Sequence, residues 1–346
     1  MATCQGQAYL EQQLHSIEKQ SYPRWVLYVS DDGSLDKTVE ILQGFKQSLE
    51  QTTSGSAPWT VGSSEIDLTQ PVERHSRVRL FDGPKMGSTE NFMHLLRLVA
   101  KEAVVLDTDL VAFADQDDVW LPQKLERAVS WHLSATTRMK NTDRNDQESP
   151  SQTEQLPPCL YASRSLLVDE DLKVMGLSRL PKGPLDFSLA LVENVLSGNT
   201  MVMNKRLMEI LSSMQVAHSV WHDWSAFLVT TGCGGELYFD REPSVLYRQH
   251  ASNVIGVKKG FLEQCIRWVA VLKGRYKAWT QINLNGLNDI EIHLVAEPLH
   301  LKRAYESMRS EKSLWRRCLK VRHLSIRRQG LFLQIALYFA LVLGLV

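Results

Sequence analysis

Asp115-Gln116-Asp117-Asp118 closes the apolar run Leu110-Val111-Ala112-Phe113-Ala114, and no other stretch constrains the fold of this chain so tightly. A short apolar run is the length of a buried strand, and acids directly after it belong where a strand's C-terminal end opens into a cleft. Side chains two apart on an extended chain share a face. Asp115 and Asp117 can therefore meet one divalent cation, whereas Asp118 faces elsewhere unless the chain turns. Carboxylate oxygens in a partly hydrated setting suit Mg or Mn, and such an ion neutralises a diphosphate leaving group. The same residues also fit an acidic turn that ends a strand and caps the next helix.

A second acidic turn lies upstream in the same context. Trp25-Val26-Leu27-Tyr28-Val29-Ser30 alternates and is rich in β-formers, and Asp31-Asp32-Gly33-Ser34-Leu35-Asp36-Lys37-Thr38 leads into a helix expected from about Thr38 to Leu49. Gly33 permits a tight turn, and Ser34 or Asp36 can cap the helix. Further along, the pattern predicts a turn and strand through Thr200-Met201-Val202-Met203. A helix is expected from Lys205 to Met214, with apolar residues at Leu207, Ile210, Leu211 and Met214. Gly198 and Asn199 allow close backbone approach before that strand. Trp221 and Trp224 flank His222-Asp223, where one ring suits the core and the other a sugar face.

These blocks resemble, in order, the family 2 nucleotide-sugar glycosyltransferases, and more narrowly their bacterial rhamnosyltransferase-like members. The resemblance begins with Met1-Ala2-Thr3-Cys4-Gln5-Gly6-Gln7-Ala8-Tyr9-Leu10, Gln13-Leu14-His15-Ser16-Ile17 and Gln20-Ser21-Tyr22-Pro23. It continues through Ser30-Asp31-Asp32-Gly33-Ser34, Gly83-Pro84-Lys85-Met86-Gly87 with Asn91-Phe92, and Asp115-Gln116-Asp117-Asp118-Val119-Trp120. It ends with Ser197-Gly198-Asn199-Thr200, His222-Asp223-Trp224, and Tyr247-Arg248-Gln249-His250 with Asn253, so that it spans roughly residues 1–255.

The resemblance implies an α/β fold of the GT-A type: a mixed, mostly parallel sheet flanked by helices, followed by a helical C-terminal extension. It implies that Asp31, Asp32, Lys85, Asp115 and Arg248 meet the donor nucleotide, that Asp117 and His250 hold a Mg or Mn cation, and that Asp223 is the catalytic base. Gly198, Asn199 and Trp224 would face the acceptor. The implied donor is a nucleoside diphosphate sugar, dTDP-rhamnose or a UDP-sugar, and the implied acceptor a cell-surface glycan or its lipid-linked precursor. Each residue also has a plainer reading: Asp223 as a helix cap, His250 as a loop residue, Arg248 as a partner of Glu242. A lone carboxylate base facing a metal-bound diphosphate implies in-line displacement with inversion. The alternatives are a catalytically silent sugar-nucleotide-binding or scaffold protein, and a nucleotidyltransferase, which would want a glycine-rich phosphate loop near the N-terminus.

Composition bounds this reading. The 346 residues are ample for a buried core, and 39 basic against 39 acidic residues offer no case for nucleic acid. Cys4, Cys159, Cys233, Cys265 and Cys318 form no Cys-x-x-Cys pair, which argues against a zinc site or disulfide framework and for a reducing compartment. No basic-then-apolar signal opens the chain, so a cytoplasmic protein is expected. Relative to the resembled family the first strand looks truncated, and Cys4 and Gln5 replace the usual Tyr and Asn.

The expected organisation is a glycosyltransferase domain over 1–256, a basic helical extension over 257–328 and an apolar tail over 329–346. Polar stretches at 50–66 and 140–158 read as mobile insertions. Between Lys302 and Arg328 ten basic residues stand against two acidic ones, and the apolar tail follows directly. That pairing suggests peripheral attachment to an anionic membrane surface, on the inner face of the cell membrane. Docking onto the body of the protein and a short membrane span are the other readings.

Overall fold

A computed structural model describes residues 1–53, 77–102, 109–143, 156–250 and 274–345. Most of both polar insertions, together with Asn253, Cys265 and the first part of the basic extension, lies outside the described residues.

The N-terminal half is built from strand–helix alternation. Strands β1 (Ala2–Thr3), β2 (Leu27–Asp31) and β3 (Val78–Asp82) form a parallel sheet in that order. Helices α1 (Leu10–Glu18), α2 (Thr38–Thr53) and α3 (Ser88–Glu102) follow the strands in turn. Parallel pairing needs such crossovers, because a strand cannot return parallel to its neighbour through a tight hairpin. Asp36 starts α2 by accepting from the Thr38 backbone N–H at 3.0 Å. Leu42 and Leu49, one helical face apart, are buried against β2 and α1 residues such as Val29 and Leu14.

The second sheet is mixed. Its order is β4 (Leu110–Ala112), β8 (Val202–Asn204), β6 (Cys159–Val168), β9 (Glu236–Arg248) and β5 (Val119–Trp120), with β7 (Val174–Leu177) also paired to β6. The expected mixed α/β architecture is present, with its parallel content in the first sheet and in the β6–β9 pair; the other pairings of the second sheet are antiparallel. β6 is buried along nearly its whole length, as a central strand covered on both faces should be. Helix α4 (Lys124–Asp143) packs on β6 and β9.

Three further helices follow: short α5 (Phe187–Ala190), α6 (Lys205–Ser213) and α7 (His222–Gly232). Asn204 caps α6 by accepting from Leu207 N–H at 3.1 Å, and Leu207, Met208, Ile210 and Leu211 form its buried face. The C-terminal helices α8 (Arg275–Asp289), α9 (Ala296–Ser310), α10 (Leu314–Arg322) and α11 (Leu331–Leu343) complete the described chain. They are not a detached appendage: Leu284, Leu287, Tyr305, Met308, Leu324 and Leu341 join the same buried cluster as Phe92, Met203 and Phe227. Among the described residues no helix is long and apolar enough to cross a membrane.

Candidate active site

The acids that sequence reasoning singled out converge where strands of both sheets end. Asp31 ends β2 and Asp32 follows it, the Asp115–Asp118 run follows β4, and β9 ends at Arg248 with His250 just beyond. Asp223 enters from the first turn of α7.

At the β2 end, both carboxylates are engaged by the chain itself. Asp31 accepts from the Ser34 backbone N–H at 2.8 Å, the Ser34 hydroxyl at 2.6 Å and the Thr3 hydroxyl at 3.0 Å. Asp32 accepts from the backbone N–H groups of Lys85 at 2.6 Å and Gly87 at 2.7 Å, fixing the 83–87 turn. Gly33 has φ +90°, and the methylenes of Lys85 cross directly over it, about where a Cβ would stand. Lys85 itself is exposed, with φ +60°, a strained value for a residue with a Cβ.

At the β4 end the alternation expected from an extended chain holds. Gln116 turns away from its neighbours and clamps the first loop, accepting from Cys4 N–H and donating to Cys4 carbonyl oxygen, both at 2.8 Å. Asp115 and Asp117 lie close enough to repel one another. Burial, then the charges of Asp117 and Asp223, push the Asp115 carboxyl up to about 7. Asp118 faces elsewhere and is fully buried, accepting from the Asn199 side chain at 2.5 Å and from Arg248 N–H at 3.3 Å. Burial, reinforced by Asp115 and Asp117, raises its carboxyl well above the ordinary range. Lys124, also fully buried, donates to the Asn199 carbonyl oxygen at 2.9 Å and sits over the Trp120 ring. Burial lowers its ammonium to about 7.

His250 meets Asp117 directly, its Nε2 2.8 Å from Oδ2, and its ring packs 5.2 Å from that of Tyr9. Asp223 stands at the head of α7, where its carboxylate accepts from Trp224 N–H at 2.7 Å. Burial raises it to about 6, against the opposing pull of Trp224, Asn194 and Gly198 hydrogen bonds. Neighbouring His222 is a core imidazole: it stacks 4.0 Å from Phe92, meets the edge of Phe113, and is pushed down to about 3 by burial. A Cβ on Gly198 would fall 2.5 Å from His222 Nε2 and 3.3 Å from Asp223 Cβ, so the close backbone approach expected of this glycine is made against the start of α7.

Three of the residues expected at the ligands are buried. Arg248, expected at the donor phosphates, is 1% exposed: it stacks on Tyr9, donates to the Asp117 carbonyl oxygen at 2.9 Å, and donates to Glu170 carbonyl oxygen and Gln12 Oε1. Asn199, expected at the acceptor, is 1% exposed and joins Asp118 to Lys124. Trp224, also expected at the acceptor, is a core residue whose indole N–H donates to Ala190 carbonyl oxygen at 2.7 Å. Trp221 is the more exposed of the pair, wedged between Trp224 and Trp279. Sequence reasoning did not single out Tyr9, Gln12, Lys124 or Asn194, because none stands out from its surroundings by spacing or composition.

Among the described residues no group of three or more His, Cys, Asp or Glu side chains is arranged to hold a metal ion unaided. A Mg or Mn ion that shares its shell with a diphosphate and water needs only one or two protein ligands, and the adjoining Asp117 carboxylate and His250 imidazole fit that demand. Asp115 lies beside them, its carboxyl raised chiefly by burial and further by the charges of Asp117 and Asp223, and a cation would offset the latter.

Comparison with known proteins finds the following resemblances. Residues 1–54 match the family model for glycosyl transferase family 2. Across 292 residues the chain is 26% identical to a dTDP-rhamnosyl transferase, RfbG, of Shigella flexneri, covering 84% of this chain and 85% of that protein. The chain thus resembles the family 2 glycosyltransferases, and a rhamnosyl-transferring relative in particular, as the order of its motifs predicts.

Among solved structures, S. aureus TarS aligns over 78% of this chain and 38% of its own at TM-score 0.42 and 13% identity. A mannosyltransferase of Pyrobaculum calidifontis, in complex with GDP-Man and Mn2+, aligns over 99% of this chain and 84% of its own at TM-score 0.41 and 15% identity. The chain spans well under half the length of TarS.

Proposed function

We propose that this chain is an inverting, metal-dependent glycosyltransferase that moves a sugar, rhamnose in the first instance, from a nucleoside diphosphate onto a glycan or lipid-linked acceptor. The observation that carries the reading is Asp223: a carboxylate raised to about 6 on a helix start, within electrostatic reach of Asp115. The resemblance to a dTDP-rhamnosyl transferase supports dTDP-rhamnose as the first donor to test, and a UDP-sugar as the second.

The chemistry follows from these placements. Asp223 takes the proton from the acceptor hydroxyl as its oxygen forms the new bond to the anomeric carbon; the bond to the diphosphate oxygen breaks, and its electron pair leaves with the nucleotide. Attack from the side opposite the leaving group inverts the anomeric centre. An elevated pKa makes Asp223 a stronger base than an ordinary carboxylate while leaving it ionised at neutral pH. Asp117 and His250 would hold the cation, which supplies positive charge to the departing diphosphate. Asp31 and Asp32 shape the loop that receives the nucleotide, with Lys85 exposed above it. Arg248 and Asn199 position Asp117 and Asp118 from beneath.

A melting-temperature panel of dTDP-rhamnose, UDP-sugars and GDP-sugars, with and without Mn, tests the reading. Stabilisation by one donor class only when Mn is present is expected; no stabilisation by any donor would leave a scaffold protein as the better account. Consistent with its basic, apolar C-terminus, the enzyme would work at an anionic membrane surface.

A further inference from the structure

Helices α10 and α11 pack together, and each turns an apolar row outward. On α11, Leu337, Ala340 and Leu341 are buried in the main core. The opposite side carries Leu331, Ile335, Phe339 and Leu343, four residues apart in sequence and therefore in one row, at 79%, 46%, 67% and 58% exposure. On α10, Leu314, Trp315 and Leu319 are exposed, at 58%, 73% and 42%. Lys312, Arg316 and Arg322 are exposed among them. Large apolar patches of this kind mark an interaction surface.

The structure also shows how α11 is held. At its C-terminal end, Gly344 closes the helix in the left-handed region, Arg317 donates to the Val342 carbonyl oxygen at 3.1 Å, and Lys277 donates to the Gly344 carbonyl oxygen at 3.0 Å. At its start, Gln334 accepts from Arg328 N–H and donates to the Ile326 carbonyl oxygen at 3.0 Å, while Glu193 accepts from Gln329 N–H at 2.9 Å. Both ends are tied to the body, so the helix lies along the protein. Its 13 residues extend about 20 Å, short of the roughly 30 Å of bilayer hydrocarbon.

We propose that α10 and α11 form an in-plane docking platform for an anionic phospholipid bilayer, with Trp315 and the Leu331–Leu343 row entering the interface and Lys312, Arg316 and Arg322 meeting lipid phosphates. Charge complementarity selects this occupant over a second copy of the chain. A symmetric dimer through this face would set its exposed cations against each other, whereas an anionic leaflet attracts them. This inference gives a surface to the membrane association of the proposed transferase and does not depend on its donor.

Sedimentation of the full chain with vesicles tests it. Binding is expected to phosphatidylcholine vesicles containing phosphatidylglycerol and to be much weaker with phosphatidylcholine alone. Phe339→Glu, or Leu331→Glu should Phe339→Glu lower the melting temperature, should abolish sedimentation. Lys312→Glu/Arg316→Glu/Arg322→Glu should weaken it on the order of 100-fold and remove its salt sensitivity. No binding by the full chain, or unchanged binding by a well-folded Phe339→Glu variant, overturns the proposal. So does a dimer that Phe339→Glu splits without altering vesicle binding, which would assign the face to a second copy. Bound protein that resists an alkaline carbonate wash overturns the in-plane geometry. Mn-dependent nucleotide binding, measured on the same samples, keeps the two readings apart: its absence alongside vesicle binding refutes only the transferase.

Discussion

The His250 imidazole meets the Asp117 carboxylate at 2.8 Å, joining the end of β9 to the loop after β4 across 133 positions of sequence. The contact is braced from below: Arg248 holds the Asp117 carbonyl oxygen, and Tyr9 packs against both Arg248 and His250. The Asp117–His250 pair of the proposed mechanism is thus braced by a buried guanidinium.

Arg248→Met should destabilise the fold by about 3 kcal/mol or more, because it leaves the Asp117 and Glu170 carbonyl oxygens and Gln12 Oε1 without their donor. Arg248→Lys should rescue little, since a single ammonium cannot serve a planar fork of acceptors. Urea unfolding checks this. A phosphate-contacting arginine would behave oppositely, with stability kept and only nucleotide affinity lost.

Asp223→Asn keeps size and removes the base, so turnover should fall on the order of 10²–10⁴-fold with donor affinity nearly unchanged. The same change should stabilise the protein. Its folded pKa of about 6 exceeds the ordinary 3.8, so the ionised carboxylate is disfavoured in the folded state. That penalty is absent below pH 3.8, grows as pH rises, and is complete above about 6. The variant should therefore gain up to about 3 kcal/mol at pH 8 and nothing at low pH, at roughly 1.4 kcal/mol per pKa unit. Unfolding curves at both extremes provide the comparison.

The pH profile of turnover should show the same group. Activity requires ionised Asp223, so the rate should climb tenfold per unit below about pH 6 and level off above it. A profile flat across that range would reject Asp223 as the base.

Gly198→Ala should disturb the base without removing it. The added methyl would fall 2.5 Å from His222 Nε2 and 3.3 Å from Asp223 Cβ, and neither neighbour is free to retreat from the core. A loss of about 1–3 kcal/mol in stability is expected, with turnover reduced at least tenfold. Unaltered kinetics would mean that the 198–200 turn yields more readily than its burial suggests.

Much of this was legible in the sequence because strand ends announce themselves. The alternation through Asp115-Gln116-Asp117 correctly separates Gln116 from its neighbours, and apolar spacing places α6 within a residue of its observed limits. The Asp31 turn and α2 were likewise expected, although α2 runs on to Thr53. What spacing cannot convey is which polar residues the fold buries. Arg248 and Asn199 look like ligand contacts because arginine and asparagine are usually accessible, and Trp224 because one of two tryptophans beside Asp223 suits a sugar face. Each is buried by a segment distant in sequence: the 169–173 turn over Arg248, the Asp118–Lys124 pair around Asn199, and α5 over Trp224. The C-terminal helices show the same limit. Their basic and apolar composition was plain, but only packing reveals that one face of α11 joins the core while the other stays open.

In the proposed mechanism Asp117, with His250, holds a cation that binds the donor diphosphate. Calorimetric titration of dTDP and UDP into the full chain, with and without Mn, and into Asp117→Ala, tests it most directly. Mn-dependent binding of at least one nucleotide to the wild-type chain is expected, with its loss in an Asp117→Ala protein that melts at the same temperature. Equal affinity in that variant, or wild-type binding indifferent to Mn, would contradict it.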